Sequence, residues 1–215
     1  MDKVIRHSPK GHLFVEAYIE LGGLYLLLKD YPKALERYEW VIKNHPQHPL
    51  AKRAYLGMEE GYRSLGKMDQ AEKILKELVG SFPQDEIQFE GQLRLGILYL
   101  AQKKLGEAVA ALSVAVRSPE ERIASQAQFK LGEAYWEAGN RESALVQFSN
   151  VVYLYHHLSD MMEEALLKLG ILYMEEKKIS EARQIYRKLL EKSKREDRRE
   201  VARKMLDQMD KGNIR

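Results

Sequence analysis

The sequence predicts an all-α fold, a solenoid of five helix–turn–helix repeats closed by a terminal helix, and three observations carry that expectation. The string Leu-Gly-Ile-Leu-Tyr occurs at Leu95–Tyr99 and again at Leu169–Tyr173, 74 residues apart. Intermediate copies exist, because Tyr25, Tyr62, Tyr99, Tyr135 and Tyr173 follow one another at spacings of 37, 37, 36 and 38. Further columns keep the same register. Nine residues after each tyrosine stands an alanine (Ala34, Ala71, Ala108, Ala144, Ala182), and four further on a large apolar residue (Tyr38, Leu75, Leu112, Phe148, Tyr186). Self-similarity at a period of this size is the signature of stacked supersecondary units.

The first helix of each repeat carries apolar residues on one face of a 3.6-residue period, as Tyr18, Leu21 and Tyr25 do in the first copy. A short polar turn follows: "KDYP", "GKMD", "KKLG", "GNRE" or "KKIS". The second helix begins just before the alanine. Three residues before the tyrosine stands glycine in four copies: Gly22, Gly96, Gly132 and Gly170. Glycine inside a helix costs roughly 0.5–1 kcal/mol relative to alanine, so its recurrence calls for close approach of two helices. The second copy has Glu59 there, which predicts a weaker repeat with a local shift. Pro46 and Pro83 close two of the second helices, and Pro119 stands beside the end of a third.

These columns resemble the tetratricopeptide repeat, with Gly and Tyr in the first helix, Ala and an aromatic residue in the second, and a closing Pro. The resemblance implies a right-handed superhelical solenoid whose first helices line a concave groove for protein partners. The period exceeds the family's usual one of about 34 residues. Segments such as "YPKALERYEWVIKNHP" and "EAYWEAGNRESALVQF" are similar to the bacterial envelope branch, which includes the periplasmic partner of Tol–Pal and the repeat lipoprotein of outer-membrane barrel assembly. The lipidated cysteine of the latter has no counterpart here. Repeats are expected at about 15–48, 52–85, 89–122, 125–158 and 163–196. A lead-in is expected over 1–14, and a capping helix with its tail over 197–215. The cap would turn Val201, Ala202, Met205, Leu206 and Met209 inward and its charges to water.

The first helices hold a second apolar stripe. "LYLLL" at Leu24–Leu28 is apolar all round, more than one buried face requires. At the groove offsets stand Ile19, Leu26 and Leu27; Leu93, Ile97 and Leu100; Phe129 and Trp136; and Leu167, Ile171 and Met174. These eleven are the expected partner-binding residues. They would form a patch larger than most monomers leave bare. Three coverings are open: a partner peptide or helix, a second copy of the chain, or the chain's own superhelix, with Ile19, Leu93, Phe129 and Leu167 the readiest to be core. Arg63 and Arg94 alone do not make the basic clamp that captures C-terminal carboxylates in this family. Glu60, Glu133, Glu137 and Glu175 fit a ligand with basic residues, or simply water.

Composition narrows the rest. A formal charge of +3 over 215 residues, from 35 basic and 32 acidic side chains, gives no general attraction to nucleic acid or anionic lipid. Cysteine is absent, which removes disulfides and thiolate chemistry. No apolar run reaches membrane-spanning length. The start has no apolar leader core, so a cytoplasmic protein is expected if the chain is complete and a periplasmic one if it is an excised part. His45 and His48 in "NHPQHP" lack further ligands nearby, and no phosphate loop or nucleophile motif occurs. No cofactor, metal or catalytic residue is expected. Trp40 on a second helix is expected to pack between repeats.

Overall fold

Every regular element is a helix in the computed structural model, which describes residues 12–211. The lead-in expected over 1–14 lies outside these residues up to position 11, and the end of the tail, 212–215, does too. The helices are α1 (His12–Leu27), α2 (Tyr31–Asn44), α3 (Ala51–Ser64), α4 (Met68–Ser81), α5 (Ile87–Ala101), α6 (Leu105–Ala115), α7 (Glu121–Glu137), α8 (Arg141–Leu154), α9 (Ser159–Glu175), α10 (Ile179–Lys192) and α11 (Glu196–Asp210). The chain divides into two compact units between Leu98 and Tyr99, and the two are described separately.

In the first unit α2 packs against both α1 and α3, and α4 packs against α3. The alanine column lies in the interior: Ala34 and Ala71 are fully buried. Asp30 caps α2 by accepting from the Lys33 backbone N–H at 3.4 Å, and Pro32 sits in its first turn, a position that needs no N–H. Trp40 stacks on rings of the first helix of its own repeat. Its indole lies 4.4 Å from the Tyr18 ring and 5.0 Å from Phe14, inside its own hairpin, because α1 begins at His12 and already offers Phe14 to α2.

Three of the recurrent glycines, Gly22, Gly132 and Gly170, face aromatic rings. A Cβ on Gly22 would stand 2.6 Å from the Tyr38 ring, and one on Gly57 would stand 2.4 Å from the other edge of that ring. Tyr38 is therefore held between two glycines on successive first helices. α3 runs unbroken through Glu59. The column that is Tyr38 in the first copy is Leu75 in the second.

In the second unit α7 packs on α6 and α8, α9 on α8 and α10, and α11 on α10. The core joins Phe129, Phe148, Leu166, Leu169, Tyr186 and Leu189. A Cβ on Gly132 would come within 2.8 Å of Phe148, and one on Gly170 within 2.6 Å of Tyr186. The terminal helix α11 buries Ala202 and Met209 and half-buries Met205 and Leu206. Val201, expected inward, is 43% exposed, since α11 presents a narrow stripe to one neighbouring helix.

All five hairpin turns share one backbone. The residue four after each repeat tyrosine has positive φ: Lys29 (58°), Gly66 (72°), Lys103 (59°), Gly139 (77°) and Lys177 (58°). The next N–H donates to the tyrosine's own carbonyl at 2.8–2.9 Å, as Asp30 does to Tyr25 and Lys178 to Tyr173. This 6→1 bond is the Schellman closure of a helix. It turns the chain at a place where glycine is strain-free and lysine is not.

Burial pushes the phenols of Tyr38 and Tyr186 up to about 12 from an ordinary 10.0. A raised acid favours the folded state while it stays neutral. That contribution is complete below pH 10 and is lost as pH rises towards 12. In an alkaline titration followed by tyrosine absorbance, two of the 12 tyrosines are expected to ionise last, together with loss of helical circular dichroism. In concentrated urea they should merge with the rest.

Candidate functional site

The first unit holds an open cleft of about 470 Å³ between α1 and α3. Its apolar wall is Leu24, Leu26 and Leu27 from α1 and Leu56 from α3. Gly23 and Gly57 let the two helices approach, and Tyr38 from α2 closes the floor between them. The rim is charged. Glu20 pairs with Arg53 at 3.1 Å. Glu60 is exposed and has no ion-pair partner among the described residues.

Arg94 reaches the same cleft from α5. Its guanidinium donates to Glu59 and to Glu90, each at 2.7 Å, and Glu59 also accepts from Arg63 at 3.1 Å. Glu59 is 3% exposed. Burial alone would lower the arginine's pKa, but the two carboxylates outweigh it and raise the value above its usual range. A buried carboxylate is tolerable only with such partners.

In the second unit the same offsets are dressed differently. The Trp136 indole N–H donates to Glu175 at 3.0 Å, and the Lys168 ammonium lies 5.4 Å from the ring centre. Lys168 and Lys130 pair with Glu133 at 3.1 and 2.8 Å. Burial would raise the Glu133 carboxyl, and these two ammonium groups bring it below its ordinary range. Lys103 pairs with Glu137 at 2.7 Å. The tryptophan is thus roofed by a polar network rather than left bare.

The eleven stripe residues therefore have three fates. Ile19, Leu93 and Phe129 are buried, at 2–4% exposure, and belong to the core instead of an open wall. Leu100 sits at the margin with 9%. Leu26, Trp136, Leu167 and Met174 are half-buried. Leu27, Ile97 and Ile171 are exposed, Leu27 by 81%. The cleft brings together Leu26 and Leu27 of this set. Leu24, Leu56, Tyr38 and Arg53 were not in it, although Leu56 stands in the same apolar column as Ile19. His45 stacks near Trp40, with ring centres 5.3 Å apart, and His157 pairs with Glu121 at 2.8 Å.

Among the described residues no helix is long and apolar enough to cross a membrane. A comparison with curated proteins finds no match. Solved structures share the fold. A MamA protein superposes with a TM-score of 0.69 at 21% identity, covering 83% of this chain and 91% of that one. YrrB, described as a TPR protein with an unusual peptide-binding site, gives 0.68 at 18% identity, over 94% and 97%. PilF of Pseudomonas aeruginosa gives 0.66 at 18%, over 84% and 77%. Tetratricopeptide repeat models match residues 19–86, 60–122, 93–153 and 164–195. With most of its length matched and its glycines, alanines and rings packed in the register that such repeats require, the chain belongs to the tetratricopeptide repeat family.

Proposed function

We propose that the chain is a non-catalytic scaffold that holds a protein segment in the concave cleft between α1 and α3. The observation that carries this reading is the cleft itself, an apolar wall ending in Leu27, which is 81% exposed, beside the Glu60 carboxylate, which has no ion-pair partner among the described residues. A segment with aliphatic side chains and a nearby lysine or arginine matches that surface, the helix-in-groove mode of recognition. Peptide binding by the similarly folded YrrB supports it, and the likeness to envelope repeat proteins favours a role in bacterial envelope assembly. A second copy lying in the same groove is the competing occupant.

The test uses a fluorescein-labelled amphipathic peptide of leucine and lysine, with leucines at i, i+3, i+4 and i+7, and reads fluorescence anisotropy. Leu27→Asp and Glu60→Lys are each expected to weaken binding about tenfold, equivalent to about 1.4 kcal/mol. Val146→Asp, on an exposed residue of α8, should not change it. Equal binding by all four proteins would sink the cleft. Loss of binding as protein concentration rises, without substitution, would favour the second copy.

A further inference from the structure

Leu13 in α1 and Leu28 just past its end are exposed leucines outside the cleft, and Leu24 lies between them on the cleft's margin. Leu13 and Leu28 are each 75% exposed and Leu24 is 47% exposed. At 100° per residue, Leu13, Ala17, Leu24 and Leu28 fall within about 60° of arc on one edge of the helix, with Leu24 shared between that edge and the cleft wall. The chain states elsewhere what such an edge receives. Eight and one residues before the repeat tyrosine, α1 has Ala17 and Leu24. The same columns are Ala54 and Gly61 in α3, Ala127 and Ala134 in α7, and Ala165 and Leu172 in α9, all buried. Each lies on a helix packed against the preceding second helix. At Gly61 the facing atom is Leu35 of α2, 3.1 Å from a Cβ built there. In α7 the column of Leu13 is Ile123, 4% exposed. The edge of α1 is thus a helix-receiving face with no described helix on it. The opposite terminal helix is built otherwise, for α11 shows charged residues outward, as a capping unit should.

We propose that this edge is a self-association surface, on which α1 of a second copy lies antiparallel about a two-fold axis near residues 20–21. This inference goes beyond the cleft and does not rest on it. The face is complementary to itself. The axis sets Leu13 opposite Leu28 of the second copy, and Ala17 opposite Leu24 of the second copy, large against large at the ends and small against large between. Isologous contacts require such a palindromic pattern. Charge does not oppose it: Glu20, nearest the axis, already pairs with Arg53 on the cleft side. No other described helix offers as many exposed leucines, so α1 is its own best apolar counterpart. One helix face covers less than the roughly 1,200–2,000 Å² of a standard interface, so the dimer is concentration-dependent.

Sedimentation velocity over a wide range of concentration tests this. The weight-average mass should climb from 25.0 kDa towards twice that value. Leu13→Glu/Leu28→Glu should remain monomeric throughout with unchanged helicity, while Glu60→Lys in the cleft leaves dimerisation intact. Because the chain has no cysteine, single-cysteine variants read the register. A mixture of Leu13→Cys and Leu28→Cys chains should form a disulfide dimer under mild oxidation, and Leu13→Cys alone should not. A wild-type chain monomeric at every concentration overturns the proposal. If that monomer loses thermal stability with Leu13→Glu/Leu28→Glu, a segment of the same chain covers the face instead. A dimer that survives the double substitution but is lost with Glu60→Lys moves the interface to the groove. Cross-linking of Leu13→Cys with itself overturns the antiparallel register.

Discussion

Glu59→Ala is expected to destabilise the protein by about 2–4 kcal/mol, the largest effect of any single polar substitution. Glu59 is almost sealed, and its two oxygens accept from Arg94 and Arg63. Removing it leaves the Arg94 guanidinium with Glu90 alone in a setting that excludes much of the water. A fully buried pair would cost about 3–5 kcal/mol when broken. The figure is reduced here because the Arg94 side chain is 30% exposed and keeps one carboxylate. Glu59→Gln should fall between wild type and alanine, since it retains shape and one acceptor but loses charge. Thermal melts would show a fall of several degrees. Hydrogen exchange would localise it: amides of α3 and of α5 up to Leu98 should open first. A loss below 1 kcal/mol would mean that Arg94 re-solvates freely and that the pair contributes little to holding the first unit.

Gly170→Ala carries the second large effect, and here two ordinary rules predict opposite signs. Helix propensity favours alanine by roughly 0.5–1 kcal/mol. Packing opposes it, because the added Cβ would stand 2.6 Å from the Tyr186 ring, and a ring held in a core with 1% exposure has nowhere to retreat. Overpacking of this kind costs typically about 1–3 kcal/mol, so a net loss of about 1–2 kcal/mol is expected. The cycle with Tyr186→Leu decides the cause. Tyr186→Leu alone should destabilise through the cavity it opens. In the Tyr186→Leu background, Gly170→Ala should be neutral or stabilising, a coupling of at least about 1 kcal/mol. Gly80→Ala, with nothing within 4 Å of the new atom, serves as the propensity control and should stabilise slightly. Additive losses in the cycle would show that the glycine is there for some reason other than the ring.

The hairpins were legible because their columns encode contacts that every repeat makes for itself. The alanines Ala34, Ala71, Ala108, Ala144 and Ala182 are all fully buried, and the large residue four further on is buried in all five copies. The second stripe was only half legible. A first helix can meet its own partner, the preceding repeat and the following one, and leucine suits all three. Apolarity therefore could not tell Ile19, which is core, from Leu27, which is bare. The stacking of Trp40 was not legible because its ring reaches Phe14, a residue expected to lie in the lead-in. Glu59 looked like a defect because the columns record residue size, whereas its position is satisfied by arginines 4 and 35 residues away. Lysine at a left-handed position gives no local signal at all, since its ordinary preference lies elsewhere.

Those left-handed lysines carry a consequence for how the array is counted. Lysine occupies the position in the first, third and fifth hairpins, and glycine in the second and fourth. Two residues before the repeat tyrosine the same alternation runs through Gly23, Ile97 and Ile171 against Glu60 and Glu133. Lys29, Lys103 and Lys177 are spaced by 74 residues each time. The true wavelength of this protein is a pair of hairpins, not one. Copying a pair of hairpins within the array preserves the rhythm, whereas copying one hairpin beside itself would set two of the same kind side by side.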